Sequence, residues 1–289
     1  MRRSLLFALI LGLSILSITY AQSTNAGYAP VTEYTVEVLN TYPHDPTAFT
    51  QGLIWYEGTF YESTGLRGQS SLREVAIESG EILRRVDVTR TPEELETQPN
   101  YFAEGLELVG DELIQLTWQA NVAFVYDRES FDQTRTISYE GEGWGLCYDD
   151  RYLYMSDSTE YLAIREADTF ELIGRMLVTV NGSPLQANLL NELACVGDSI
   201  YANLWQTDFI VQIDKYNGNV VGIIDASNLL TEDMIREIPN FQESADGSVS
   251  PPSGGVLNGI AYNPQSETFF ITGKLWSRMF EVRFVPVEG

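Results

Sequence analysis

Short apolar runs separated by turn residues fill most of this chain, and one arrangement of them recurs. Gln51-Gly52-Leu53 precedes Thr59-Phe60-Tyr61-Glu62-Ser63, and Glu104-Gly105-Leu106 precedes Leu113-Ile114-Gln115-Leu116-Thr117-Trp118. Trp144-Gly145-Leu146 precedes Tyr152-Leu153-Tyr154-Met155-Ser156. Asn191-Glu192-Leu193 precedes Ser199-Ile200-Tyr201-Ala202-Asn203, and Asn258-Gly259-Ile260 precedes Thr268-Phe269-Phe270-Ile271-Thr272. A short apolar strand, a turn and a β-branched or aromatic strand make a hairpin. A third strand follows each copy, at 72–76, 122–126, 161–165, 210–214 and 280–284. A fourth follows in the first four copies, at 82–88, 134–137, 172–178 and 220–224.

The central triplet residues, Gly52, Gly105, Gly145, Glu192 and Gly259, lie 53, 40, 47 and 67 residues apart. Units of four strands at that period are propeller blades, with insertions where the interval lengthens. The inserted loops fall at 89–100 and 226–255. The last copy lacks a fourth strand, while residues 34–42 have β-character and no partner of their own. The expected fold class is all-β: a five-bladed β-propeller of four-stranded blades, its ring closed by the N-terminal strand. Closure removes the open edge that would invite aggregation. A β-sandwich is the competing architecture, and the repeat argues against it.

The first residues change the domain picture. Arg2 and Arg3 followed by an apolar run to Ile18 and a small residue at Ala21 read as a signal peptide over 1–21. The apolar run is shorter than the roughly 20 residues a spanning helix needs. A flexible segment over 22–33 and a single propeller domain over 34–289 are then expected, in an exported protein, periplasmic or extracellular. Cleavage would leave Gln22 at the N-terminus.

The formal net charge of −24 argues against nucleic acid and anionic membrane surfaces as partners. It suits cationic ligands such as peptides with a free α-ammonium group. With two cysteines and one histidine, a His/Cys zinc site is short of ligands. His44, in Tyr-Pro-His-Asp-Pro, reads as a turn residue or a hydrogen-bonding support. Cys147 and Cys195 occupy equivalent places in copies three and four. A disulfide and a pair of buried core thiols both remain open.

In a propeller the innermost strands start at the mouth of the central channel. Here those positions carry Phe49, Gln51, Phe102, Glu104, Trp144, Asn191 and Asn258, and the second strands end at Trp118, Asp157, Asn203, Trp205, Lys274 and Trp276. Aromatic walls with a few convergent polar groups make a pocket for a small molecule or a peptide end. Glu104 stands out, because a carboxylate among aromatics has its pKa raised toward neutrality, which suits acid/base work. Lys274 either pairs with it or touches substrate. Gly105, Gly145 and Gly259 read as crowded positions near the axis.

At these residues the chain resembles the plant- and bacterial-type glutaminyl-peptide cyclotransferases. The matching segments are 48–53, 102–106 with 116–118, 141–146, 190–193, 201–207, 256–262 and 270–276. The resemblance implies a five-bladed, metal-independent propeller enzyme without cofactor. Its reaction converts an N-terminal glutaminyl residue to pyroglutamate with release of ammonia. It places the catalytic glutamate at Glu104, and substrate-binding residues at Phe49, Gln51, Phe102, Trp118, Trp144, Asn203 and Lys274, with no metal ligand. The chain departs from the pattern at Ser158-Thr159, Ser277 and Cys195. Around Ile223 it lacks an aromatic that some members supply from the fourth blade. The partner expected is a peptide or protein with N-terminal glutamine, bound by a monomer. A non-enzymatic propeller that binds exported peptides would keep the aromatic ring without needing an acid at 104. A lactonase would need a ring of metal-binding carboxylates and amides, and a glycosidase a second facing carboxylate.

Overall fold

Strands form where β-branched and aromatic residues alternate with polar ones, and Gly, Asp and Asn turn the chain between them. The computed structural model describes residues 30–244, 246–252 and 254–288. The expected leader over 1–21 lies outside the described residues, as does most of the 22–33 segment. β1 (Thr32–Pro43) already begins inside that segment.

An antiparallel sheet follows, in the order β2 (Thr50–Tyr56), β3 (Thr59–Thr64), β4 (Ser71–Ala76) and β5 (Ile82–Asp87). The first insertion holds a helical turn, α1 (Pro92–Leu95), started by a capping box between Thr91 and Glu94. The second sheet is β6 (Ala103–Val109), β7 (Glu112–Thr117), β8 (Val122–Asp127) and β9 (Gln133–Ser138). The third is β10 (Leu146–Tyr148), β11 (Tyr152–Ser156), β12 (Tyr161–Glu166) and β13 (Leu172–Leu177). A small hairpin, β14 (Thr179–Val180) with β15 (Ser183–Pro184), leads to β16 (Leu190–Val196), β17 (Ser199–Leu204), β18 (Phe209–Asp214) and β19 (Val220–Asp225). The second insertion carries α2 (Glu232–Glu237) before β20 (Leu257–Asn263), β21 (Thr268–Gly273) and β22 (Arg278–Pro286).

β1 pairs antiparallel with β22 from Tyr34 to Pro43, with an irregularity between Val38 and Asn40. It also pairs parallel with β19 over Thr32–Thr35, which the repeat did not predict. The last two groups of strands therefore share one eight-stranded sheet, β16-β17-β18-β19-β1-β22-β21-β20. The whole is all-β and propeller-like. The first strands touch in sequence, β2 against β6, β6 against β10, β10 against β16, β16 against β20, and β20 against β2.

Each sheet is apolar on both faces, so the core is divided into layers between sheets. The two-residue period decides which layer a side chain joins. Along β7, Leu113 packs with Tyr61 and Leu72 of the first sheet, while Ile114 and Leu116 pack with Leu146 and Met155 of the third. Similar layers form between the other neighbouring sheets, the last one joining Phe60 to Phe270. Cys147 of β10 and Cys195 of β16 form a disulfide, with Cα atoms 5.4 Å apart, so the bonded reading holds.

Near the axis the first strands approach too closely for side chains. A Cβ on Gly105 would lie 2.6 Å from the Trp144 carbonyl oxygen, and one on Gly145 would collide with that of Asn191. Both are crowded as the sequence suggested.

Candidate functional site

The inner strands share an irregularity that positions the site. The pairing of β2 with β3 shifts between Thr50 and Gly52, and that of β6 with β7 between Ala103 and Leu106. The same shift recurs between Leu190 and Leu193 in β16, and between Leu257 and Ile260 in β20. Gln51, Glu104, Asn191 and Asn258 all sit in these shifts. A bulge releases residues from the ladder and re-aims their side chains.

The residues so placed surround a cavity of about 210 Å³. Glu104, Gln51, Asn191 and Lys274 supply its polar wall. Phe49, Phe102, Trp118, Trp144 and Trp205 supply the rest. The aromatics hold one another edge to face: Phe49 with Phe102 at 6.0 Å between centroids, Phe102 with Trp118 at 5.7 Å, and Trp144 with Trp205 at 5.7 Å. Such contacts fix ring orientation beyond simple area burial. Phe102 fits only because Gly65 has no side chain, since a Cβ there would lie 2.5 Å from its ring.

Seven of the eight expected site residues meet in this cavity. Asn203 does not line it. Asn203 is fully buried, and its Oδ1 accepts from the Gly259 backbone N–H at 3.1 Å. It lies at the end of β17, where the side chain turns toward the neighbouring strand instead of the opening. Asp157 is held by Arg175 at 3.1 Å, and Trp276 is buried against Gly273 and donates to the Gly255 carbonyl, so neither lines the cavity. Asn191 and Trp205 join as additional lining residues. Trp205 extends the aromatic wall beside Trp144. Both additions were already among the channel-mouth positions read from the repeat.

Burial pushes Glu104 well above the usual carboxylate range; the nearby Lys274 charge opposes this and Glu142 adds to it. No hydrogen bond from another described residue reaches the Glu104 carboxyl. Burial also lowers Lys274 to about 8, against the pull of Glu104 and Glu192. Lys274 makes no ion pair with Glu104 among the described residues. Its ammonium lies 5.0 Å over the Phe49 ring. Glu142 on the rim accepts from the Trp144 indole at 3.0 Å and from Gln119 at 3.0 Å.

Gln51 has a defined orientation. Asn258 Nδ2 donates to Gln51 Oε1 at 3.2 Å and to the Thr50 carbonyl at 2.9 Å. That leaves the NH2 group of this cavity-lining residue as its remaining donor. Behind it, Thr50 donates to Glu62, which also meets His44 Nε2 at 3.0 Å. His44 Nδ1 contacts the Trp276 carbonyl at 2.7 Å. His44 is thus a buried support for this wall. Among the described residues no three His, Cys, Asp or Glu side chains gather in a metal-holding cluster.

The site offers one buried cavity-lining carboxyl with no hydrogen-bond partner among the described residues, one cation of lowered pKa and amide donors inside an aromatic box. That set can move a proton at a bound neutral group while excluding water. Residues 9–284 match the family model described as glutamine cyclotransferase. A glutaminyl-peptide cyclotransferase of Arabidopsis thaliana is 35% identical over 253 residues, covering 86% of this chain and 71% of that protein. The crystal structure of Myxococcus xanthus glutaminyl cyclase superposes with a TM-score of 0.73 at 38% identity, covering 89% of this chain and 100% of that one. This chain belongs to the glutamine cyclotransferase family.

Proposed function

We propose that this protein converts N-terminal glutamine of peptides to pyroglutamate with release of ammonia, using Glu104 as acid and base and no metal. The sheets act as five blades whose ring is closed by β1, with the aromatic cavity at the mouth of the axis. The observation that carries the reading is the Glu104 carboxyl, buried among aromatics and without a hydrogen bond from any other described residue.

Ring closure is intramolecular, so the main task is to hold the reactive conformer. The aromatic box grips the substrate side chain and excludes water. The neutral α-amine attacks its own amide carbon. Glu104 takes the proton from the attacking nitrogen and passes it to the departing one, and ammonia leaves. Gln51 and Asn191 are placed to donate to the developing oxyanion. Lys274 favours the ionised form of Glu104 at the moment it must act as base. The reading also keeps export, a monomeric state and N-terminal glutamine of peptides or proteins as the substrate.

The test is ammonia release from Gln-peptides with a chelator present. Wild type retains its rate, and Glu104→Gln loses on the order of 10² to 10⁴ in kcat while binding is kept. Unchanged turnover in Glu104→Gln sinks the assignment. Activity that vanishes with chelator overturns the metal-free mechanism. Peptide binding without ammonia release points to a binding propeller.

A further inference from the structure

Three buried polar side chains, Glu192 of β16, Asn203 of β17 and Asn258 of β20, are bonded to neighbouring stretches of β2 and β20. Each has one polar atom bonded to protein and one without a partner among the described residues. Glu192 Oε1 accepts from the Leu53 backbone N–H at 3.0 Å, which leaves Oε2. Asn203 Oδ1 accepts from the Gly259 N–H, which leaves Nδ2. Asn258 Nδ2 serves Thr50 and Gln51, which leaves Oδ1. All three residues are 0% exposed. Their connections tie them to one place: Gly259 follows Asn258, and a Cβ on Gly259 would lie 3.8 Å from the Leu53 side chain.

The backbone partners fix what each remaining atom is. Asn203 offers a donor, Asn258 an acceptor, and Glu192 a carboxyl oxygen of either kind. Orphaned buried polar groups cost about 1–3 kcal/mol each, so three on adjoining strands call for a partner, and a single shared one is the simplest. That partner must both donate and accept. A cation cannot accept from Asn203, whereas water with three partners is the usual occupant of such a place. Glu192 also breaks the repeat, filling with a side chain the slot that holds glycine in the other four copies.

We propose that Glu192, Asn203 and Asn258 form a closed site for one water molecule, and that this water makes Asn258 a positioning residue for Gln51. Water donating to Asn258 Oδ1 keeps that amide from flipping. Asn258 Nδ2 then keeps Gln51 Oε1 occupied, and the Gln51 NH2 group faces the cavity. The positioning half rests on the proposed cyclase reading, and the binding half does not.

A crystal structure of the mature full chain at high resolution tests the site directly. A single peak within about 2.7–3.2 Å of all three atoms is expected. It persists in Glu192→Gln, which keeps an acceptor for Leu53 and a donor or acceptor for water, and disappears in Glu192→Leu. Direct pairing among the three side chains, or an ammonium-mimicking thallium ion giving an anomalous peak there, overturns the site. Asn258→Asp tests positioning, because a carboxylate cannot donate to Gln51. A fall on the order of 10² in kcat with KM little changed is expected, the scale of one lost oxyanion donor. Wild-type kcat in that variant overturns the positioning role. A wild-type protein that shows the peak but releases no ammonia refutes only the cyclase reading.

Discussion

Individual side chains in this protein are tuned mainly by burial. Lys274, lowered to about 8, titrates where the substrate amine does. The amine must be neutral to attack, so rate rises with pH up to that region. Above about 8 Lys274 loses its charge, Glu104 loses the neighbour that favours its ionised form, and rate falls. A bell-shaped kcat/KM profile with a basic limb near 8 is expected, and Lys274→Met removes that limb. Retention of the limb in Lys274→Met assigns it to another group. Glu107 makes a separate, structural case. Burial raises it to about 8, against bonds from the Leu108 and Tyr148 N–H groups. A carboxyl raised above its unfolded value contributes stability that is whole below about 4.5 and lost as pH climbs to about 8. Glu107→Gln gives up one of those bonds at every pH but escapes the pH-dependent loss. Its melting temperature relative to wild type therefore rises between pH 5 and pH 8, as calorimetry across that range checks.

At the scale of elements, the disulfide and the bulges do different jobs. Cys147 and Cys195 link the innermost strands of adjacent sheets across 48 residues. Closing a loop of that length restrains the unfolded chain by an amount worth about 4 kcal/mol at most. Neither cysteine lines the cavity. The double variant Cys147→Ala/Cys195→Ala should lose about 2–4 kcal/mol in denaturant unfolding and keep kcat/KM near wild type at 25 °C. Loss of activity without loss of stability would mean that the link sets the cavity's shape. The repeated bulges act on geometry. Each releases the side chain that a regular ladder would have tied to its pleat.

Across the whole molecule, β1 carries an unusual share of the architecture. It lies between β22 and β19, and without it both strands present bare edges. A chain starting at residue 30 should unfold cooperatively, whereas one starting at residue 44 should lose cooperative unfolding and aggregate. Light scattering and calorimetry separate the two results. Charge is the other global property. A net charge of −24 concentrates cationic peptide ends around the protein, and salt screens that attraction. KM for Gln-peptides should rise with ionic strength while kcat holds, more steeply for basic peptides than for neutral ones. A KM that ignores salt removes the steering argument.

The amino-acid sequence alone determined the strand pattern, the repeat and the chemistry of the inner-strand starts. Those features are local or periodic, so they survive without coordinates. Glu104, Phe49 and Phe102 were legible because they occupy equivalent repeat slots, and the glutamate breaks the pattern there. Only the tertiary structure decided which of these slots face one cavity. It turned Asn203 away to bind Gly259, brought in Asn191 and Trp205, joined Cys147 to Cys195, and laid β1 beside β19 as well as β22. Each of those outcomes depends on register shifts and on contacts between sheets far apart in sequence. A repeat shows that such sheets exist, but the packing at their junctions sets where a side chain points.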